Sequence, residues 1–219
     1  MELILILIII FLPLLANAKI NSSYKKYSKV KNSMGLTGND VARKILDKHG
    51  LNNIDIISVP GNLSDHYDPK RKHVALSCGN ETSIASLAVA AHEVGHAIQD
   101  KEAYSYLKFR TALVPVVNFA SSASTFFIVI GFMSEMTLFL VDIGILLLLV
   151  GLLFQLITLP VEFNASKRAK EELTSMGLIA DVDQKGTASV LNAAAFTYVA
   201  GFIAMALQIL RLIMVRNRD

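Results

Sequence analysis

The sequence predicts a mainly α-helical membrane protein with a small α+β region. Three observations predict it. Of 219 residues, 53% are hydrophobic and only 18% are charged, against roughly 25% charged in an ordinary soluble domain. Three long runs, 113–133, 136–159 and 191–210, carry a single charge between them, Asp142. About 20 apolar residues suffice for a helix to cross a bilayer. Ahead of these runs, residues 39–99 alternate between helical and strand-like patterning.

The composition also excludes several classes. A disordered chain is too poor in apolar residues to match. One cysteine, Cys78, allows neither a disulfide scaffold nor a cysteine-cluster metal site. A net charge of +3, with no aromatics interleaved among the basic residues, implies no nucleic-acid partner. The expected partners are a lipid bilayer and whatever the water-facing part binds.

Residues 1–18 read as an N-terminal membrane anchor. Ala16-Asn17-Ala18 has the look of a signal-peptidase site, but Glu2 stands where a positive charge should precede the apolar run. Lys19, Lys25, Lys26, Lys29 and Lys31 follow it instead, so an uncleaved anchor with its N-terminus outside is expected.

Residues 19–110 read as a cytoplasmic catalytic region. Val41, Ile45 and Leu46 share one face of a helix over 39–49, with Gly50 as its stop. Residues 54–59 read as a strand before the Pro60-Gly61 turn, and 73–77 as a second strand. A long helix follows, from about 82 to past Gln99. Residues 111–159 then form a transmembrane hairpin. Of 21 Lys and Arg, 14 fall in 19–110 and none at the turn around Ser134-Glu135, so the tip is expected outside. Residues 160–187 supply a further helix, opened by Pro160, and a loop around Gly186. Residues 188–219 form a C-terminal membrane helix with a basic tail. If that helix spans, Arg211, Arg216 and Arg218 lie outside, against the charge rule.

The chemistry is carried by His92-Glu93-Val94-Gly95-His96, an H-E-x-x-H pattern within a helical segment. Residues i and i+4 share a helix face, so both imidazoles can address one ion. Zinc takes two such nitrogens and a carboxylate, and keeps a fourth position for water. Glu93 is placed to act on that water as general base. Segment 84–91 is apolar and small, which implies a packed helix and argues against two idle surface histidines.

The third ligand has two candidates. Glu102 lies six residues after His96, but Gln99 occupies the position where a glycine would break the helix, so Glu102 is carried away. Glu162 lies on a separate helix whose Ala165, Ser166 and Ala169 allow close approach, and it is preferred. The out-and-back hairpin would return it to the membrane face that carries the histidines.

These residues, with Pro160-Val161-Glu162-Phe163-Asn164-Ala165-Ser166 and segment 191–200, resemble the neutral zinc membrane metallopeptidases of the YugP type. The resemblance covers most of the chain after about residue 65. It implies a bacterial membrane-bound zinc metallopeptidase, with one Zn2+ per chain held by His92, His96 and Glu162, and Glu93 as catalytic acid/base. The layout is also similar to the more distant HtpX and CAAX-prenyl protease group, which has an acid four residues after the glutamate ligand. Here that position is Ser166; Asn164 or Ser166 would have to support the site instead.

The implied fold is thus a mainly α membrane protein with a small α+β zinc-metallopeptidase region. The implied function is a membrane-bound zinc metalloendopeptidase in the bacterial cell membrane, multi-pass and with its site facing the cytoplasm. It would hydrolyse protein or peptide substrates that are membrane-associated or misfolded, through a Glu-activated zinc-bound water. Tyr198, His73 and His66 are candidates for an oxyanion donor, and strand 73–77 for pairing with an extended substrate. The alternatives are an intramembrane protease with the motif helix inside the bilayer, and a non-catalytic zinc-binding membrane scaffold or assembly factor.

Overall fold

The computed structural model describes residues 2–217; Arg218 of the basic tail lies outside them. The described elements are α1 (Glu2–Tyr27), α2 (Gly38–Lys48), β1 (Asp55–Ser58), β2 (His66–Asp68), β3 (His73–Leu76), α3 (Ile84–Lys101), α4 (Ser105–Gly131), a 3-10 turn (Glu135–Thr137), α5 (Phe139–Ser175) and α6 (Asp181–Arg216). The fold is mainly α with one small sheet. Two units divide the chain. The first comprises residues 1–17, 108–160 and 197–219; the second comprises 18–107 and 161–196.

Four helices, α1, α4, α5 and α6, are long and apolar enough to cross a membrane. In the first unit, α4 and α5 form the expected hairpin around Ser134. Glycines set its closeness: a Cβ on Gly144 would meet Ile128 Cγ1 at 2.5 Å and Ser124 O at 3.1 Å. Val141 and Ile145 of α5 pack with Ile209 and Leu212 of α6. Arg216 then forks onto Asp142, Nε to Oδ1 at 2.9 Å and a terminal nitrogen to Oδ2 at 3.0 Å. The end of α6 therefore lies beside the start of α5, at the hairpin-tip end of this unit. The apparent breach of the charge rule by Arg216 is offset locally by an acid on the neighbouring helix.

The second unit holds the sheet and its helices. Thr37 caps α2 through a reciprocal pair: its hydroxyl accepts from Asp40 N at 3.1 Å, and Asp40 Oδ2 accepts from Thr37 N at 2.9 Å. Val41, Ile45 and Leu46 are fully buried against Leu87, Val94 and Ile98 of α3 and against Val74 and Leu76 of β3. Burial of this apolar surface is what holds the layer together. Ser83 caps α3, accepting from Ser86 N at 3.1 Å.

Four expectations are corrected. The strand at 73–77 has no free edge over His73–Ala75: the order is β1-β3-β2, with β1 parallel on one side and β2 antiparallel on the other. It cannot pair with a substrate there. Gly186 is not in a loop but inside α6, where a Cβ would meet the Tyr27 ring at 2.8 Å. Its role is close packing, and the turn before α6 is made by Gly177, at φ +62°. Pro160 does not open a helix; it lies inside α5, at the cost of one backbone hydrogen bond. The N-terminal helix runs on to Tyr27, well past residue 18, because Ala16, Ile20 and Tyr24 form a buried stripe at helical spacing.

Candidate metal centre

Helix α3 is not among the four described helices long and apolar enough to cross a membrane. It is nonetheless buried on most sides. His92 and His96, one turn apart, present their rings edge-to-face with centroids 4.8 Å apart. Opposite them, α5 brings in Glu162, which is 1% exposed. Its Oε2 lies 3.3 Å from His92 Nε2 and 3.6 Å from His96 Nε2.

What brings α5 so near is Gly95. A Cβ there would meet Ala165 O at 2.8 Å and Ala165 Cα at 3.2 Å. The glycine of the motif faces the alanine three residues after Glu162, and the two backbones touch.

The donor set fits zinc. Ligand atoms held tetrahedrally at ~2.0–2.1 Å from an ion lie about 3.3 Å from one another, close to the 3.3 and 3.6 Å found. One atom from each of the three residues falls within 4.8 Å of the others. The far ring nitrogens are held as a zinc site requires. Gln99 Nε2 donates to Val161 O at 2.8 Å and to Asn164 Oδ1 at 2.9 Å. Gln99 Oε1 is therefore the atom facing His96 Nδ1, at 3.0 Å. An amide oxygen only accepts, so Nδ1 is the nitrogen that donates to Gln99, which leaves Nε2 as the atom available to a metal. His92 Nδ1 lies 3.2 Å from Ser166 Oγ, which can take the same role.

Glu102 is engaged elsewhere. Arg168 grips it in a fork, at 3.0 and 2.6 Å, and reaches back to Asn164 Oδ1 at 2.8 Å. That hydrogen-bonded fork holds the Glu102 carboxyl below the usual range. A line of contacts thus runs from Glu102 through Arg168, Asn164 and Gln99 to His96. Gln99 was the residue missed from the sequence, where it registered only as a non-glycine. A polar side chain three residues after His96 on a packed helix was the available signal.

Glu93, the residue after His92 on α3, is 9% exposed. Burial pushes its carboxyl up to about 7, with His92 opposing the shift and Glu162 adding to it. His66 and His73 sit on the sheet with rings 6.0 Å apart; neither hydrogen-bonds to Glu93 or the three ligand candidates among the described residues. Tyr198 lies in the first unit, on α6.

The family model described as "Putative neutral zinc metallopeptidase" matches residues 2–217. The chain belongs to this family. It is also 46% identical over 202 residues to a protein of Bacillus subtilis (strain 168) called "Putative membrane protease YugP", covering 91% of this chain and 89% of that protein. No solved structure matches it. Zinc is the metal that the family's description names and that the His-His-Glu donor set suits.

Proposed function

We propose that this chain is a membrane-bound zinc metalloendopeptidase that hydrolyses peptide bonds of membrane-associated or misfolded proteins. His92, His96 and Glu162 hold the metal, and Glu93 is the catalytic acid/base. The observation that carries the reading is the convergence of two Nε2 atoms and one carboxylate oxygen, 3.3 and 3.6 Å apart, with Glu93 one residue along the same helix. Zinc bound there supplies Lewis acidity and lowers the pKa of a water toward roughly 7. The Glu93 carboxylate takes the proton of the attacking water and delivers it to the leaving amine nitrogen. A carboxyl buried enough to titrate near neutrality suits both transfers. Gln99 and Ser166 hold the two imidazoles in the orientation that points Nε2 at the ion.

Changing Glu93 to Gln tests this against a zinc-binding scaffold. The variant is expected to keep its zinc and to cleave an unfolded model protein about 100- to 10,000-fold more slowly. Undiminished cleavage would remove Glu93 from the chemistry.

The charge distribution supports a cytoplasmic second unit and an external hairpin tip. Cys78 is 2% exposed, so a cysteine introduced at Ser134 can be read separately. A membrane-impermeant maleimide should label it in intact cells. Labelling only after lysis would reverse the orientation.

A further inference from the structure

Between Lys185 and Arg216, α6 carries one charge, Arg211. The helix is long and apolar enough to cross a membrane. Arg216 has its acid in Asp142. Arg211 has none. Its Nε is buried without a hydrogen-bond partner, and its guanidinium makes no hydrogen bond or ion pair among the described residues. A guanidinium does not shed its proton, and a charge taken out of water is costly unless it is paired. Asp142, the one acid in the first turn of α5, is already forked by Arg216. Leu207, Met214 and Val215 share the helix face of Arg211 and are half-buried. Leu210 and Ile213, beside that face, are 47% and 41% exposed. Arg211 lies five residues before Arg216, ~7.5 Å deeper along the helix. From there an arginine can lay its carbon stem along apolar surface and turn its head back to the interface.

We propose that Arg211 binds the phosphate of an anionic phospholipid, in the leaflet at the hairpin-tip end of the first unit. The planar guanidinium suits two phosphate oxygens side by side. Its terminal nitrogens make these bonds, and the phosphate offsets the charge whose Nε stays buried. Inorganic phosphate has the same oxygens, but the surroundings favour the lipid. The cation adjoins exposed apolar side chains, Leu210 and Ile213, and a lipid joins an anion to a chain that covers them. A lipid also brings its phosphate to the interface already anchored, whereas a free anion must leave water to reach it. The site explains how a second arginine is tolerated at this end of α6. Arg216 draws its counter-charge from α5, and Arg211 draws its own from the leaflet. Nothing in this proposal depends on the peptidase reading.

The test titrates phosphatidylglycerol bearing a photoreactive headgroup into the full-length protein in a neutral detergent. Crosslinks are mapped by mass spectrometry, and the yield on residues 207–215 is the readout. That readout separates this site from the lysines that follow α1, which offer the same lipid a second place. The wild type should be labelled on 207–215 and should saturate. Arg211→Gln should need about 10- to 100-fold more lipid, the range set by hydrogen bonds to a charged group. Arg211→Lys should fall between, because an ammonium keeps the charge and loses the fork. Unlabelled phosphatidylglycerol should compete in the wild type. Phosphatidylcholine with the same chains should compete weakly, since its choline cation opposes the guanidinium. Millimolar inorganic phosphate should compete least. Phosphate competing as well as phosphatidylglycerol would assign the site to a free anion and overturn the lipid. An unchanged titration in Arg211→Gln would overturn the role of Arg211. Wild-type protein that is not labelled on 207–215 would overturn the proposal without any variant having to fold.

Discussion

Glu162→Ala is expected to take the zinc content of purified protein from about one per chain to near zero and to abolish turnover. The carboxylate is one of three proposed ligands, and it reaches both histidines from a different helix. Altering a residue that merely supports a ligand typically lowers metal affinity by about 10- to 100-fold; removing the ligand itself should exceed that. The loss separates from misfolding by a stability measurement. A ligand that binds only the folded state stabilises it, by about 4 kcal/mol at a thousand times its dissociation constant. A chelator should therefore lower the melting temperature of the wild type. It should leave Glu162→Ala unmoved, with the variant melting near the chelated wild type. The core of the second unit supports that expectation, because Leu173 and Ala169 pack on the same helix without using the Glu162 side chain. A full zinc load in Glu162→Ala would show that the carboxylate is not a ligand.

Much of this was legible from the sequence for a physical reason. Helical periodicity is local, so the one-turn spacing of His92 and His96 places them on one face wherever that helix goes. Lipid imposes runs of apolar residues, so the four long helices announce themselves. Long-range pairing is where the reading thinned. Strand β2 is three residues long and reads His66-Tyr67-Asp68, too short and polar to show an alternation, so the central place of β3 went unseen. Gly186 was read as a breaker because a glycine inside a helix usually costs stability. Its justification is the Tyr27 ring against it, more than 150 residues away in the chain. Gln99 finds its partners, Val161 and Asn164, only after the hairpin has been crossed. Asp142 was visible as a charge in an apolar run, but its partner Arg216 was not. In each case the residue was in plain view and the contact that explains it was not.

Gly95→Leu should be as damaging as loss of a ligand, although Gly95 touches no metal. The atoms facing it are the Ala165 carbonyl oxygen at 2.8 Å, its Cα at 3.2 Å and its carbonyl carbon at 3.3 Å. All belong to backbone inside α5, so no side chain can swing away to make room. Even a methyl group must push the two helices apart, and a leucine more so. Overpacking of this kind costs about 1–3 kcal/mol, occasionally more, which is a large part of an ordinary domain's stability. The displacement falls on the contact that holds Glu162 against His92 and His96, where a zinc site tolerates only ~0.2 Å in its bond lengths. Gly95→Leu is therefore expected to lose stoichiometric zinc and to melt lower than the chelated wild type, whereas Glu162→Ala should melt close to it. Gly95→Ala should show the same two effects, smaller. A Gly95→Leu protein with wild-type zinc content and an unchanged melting temperature would mean that α3 and α5 do not meet at this residue.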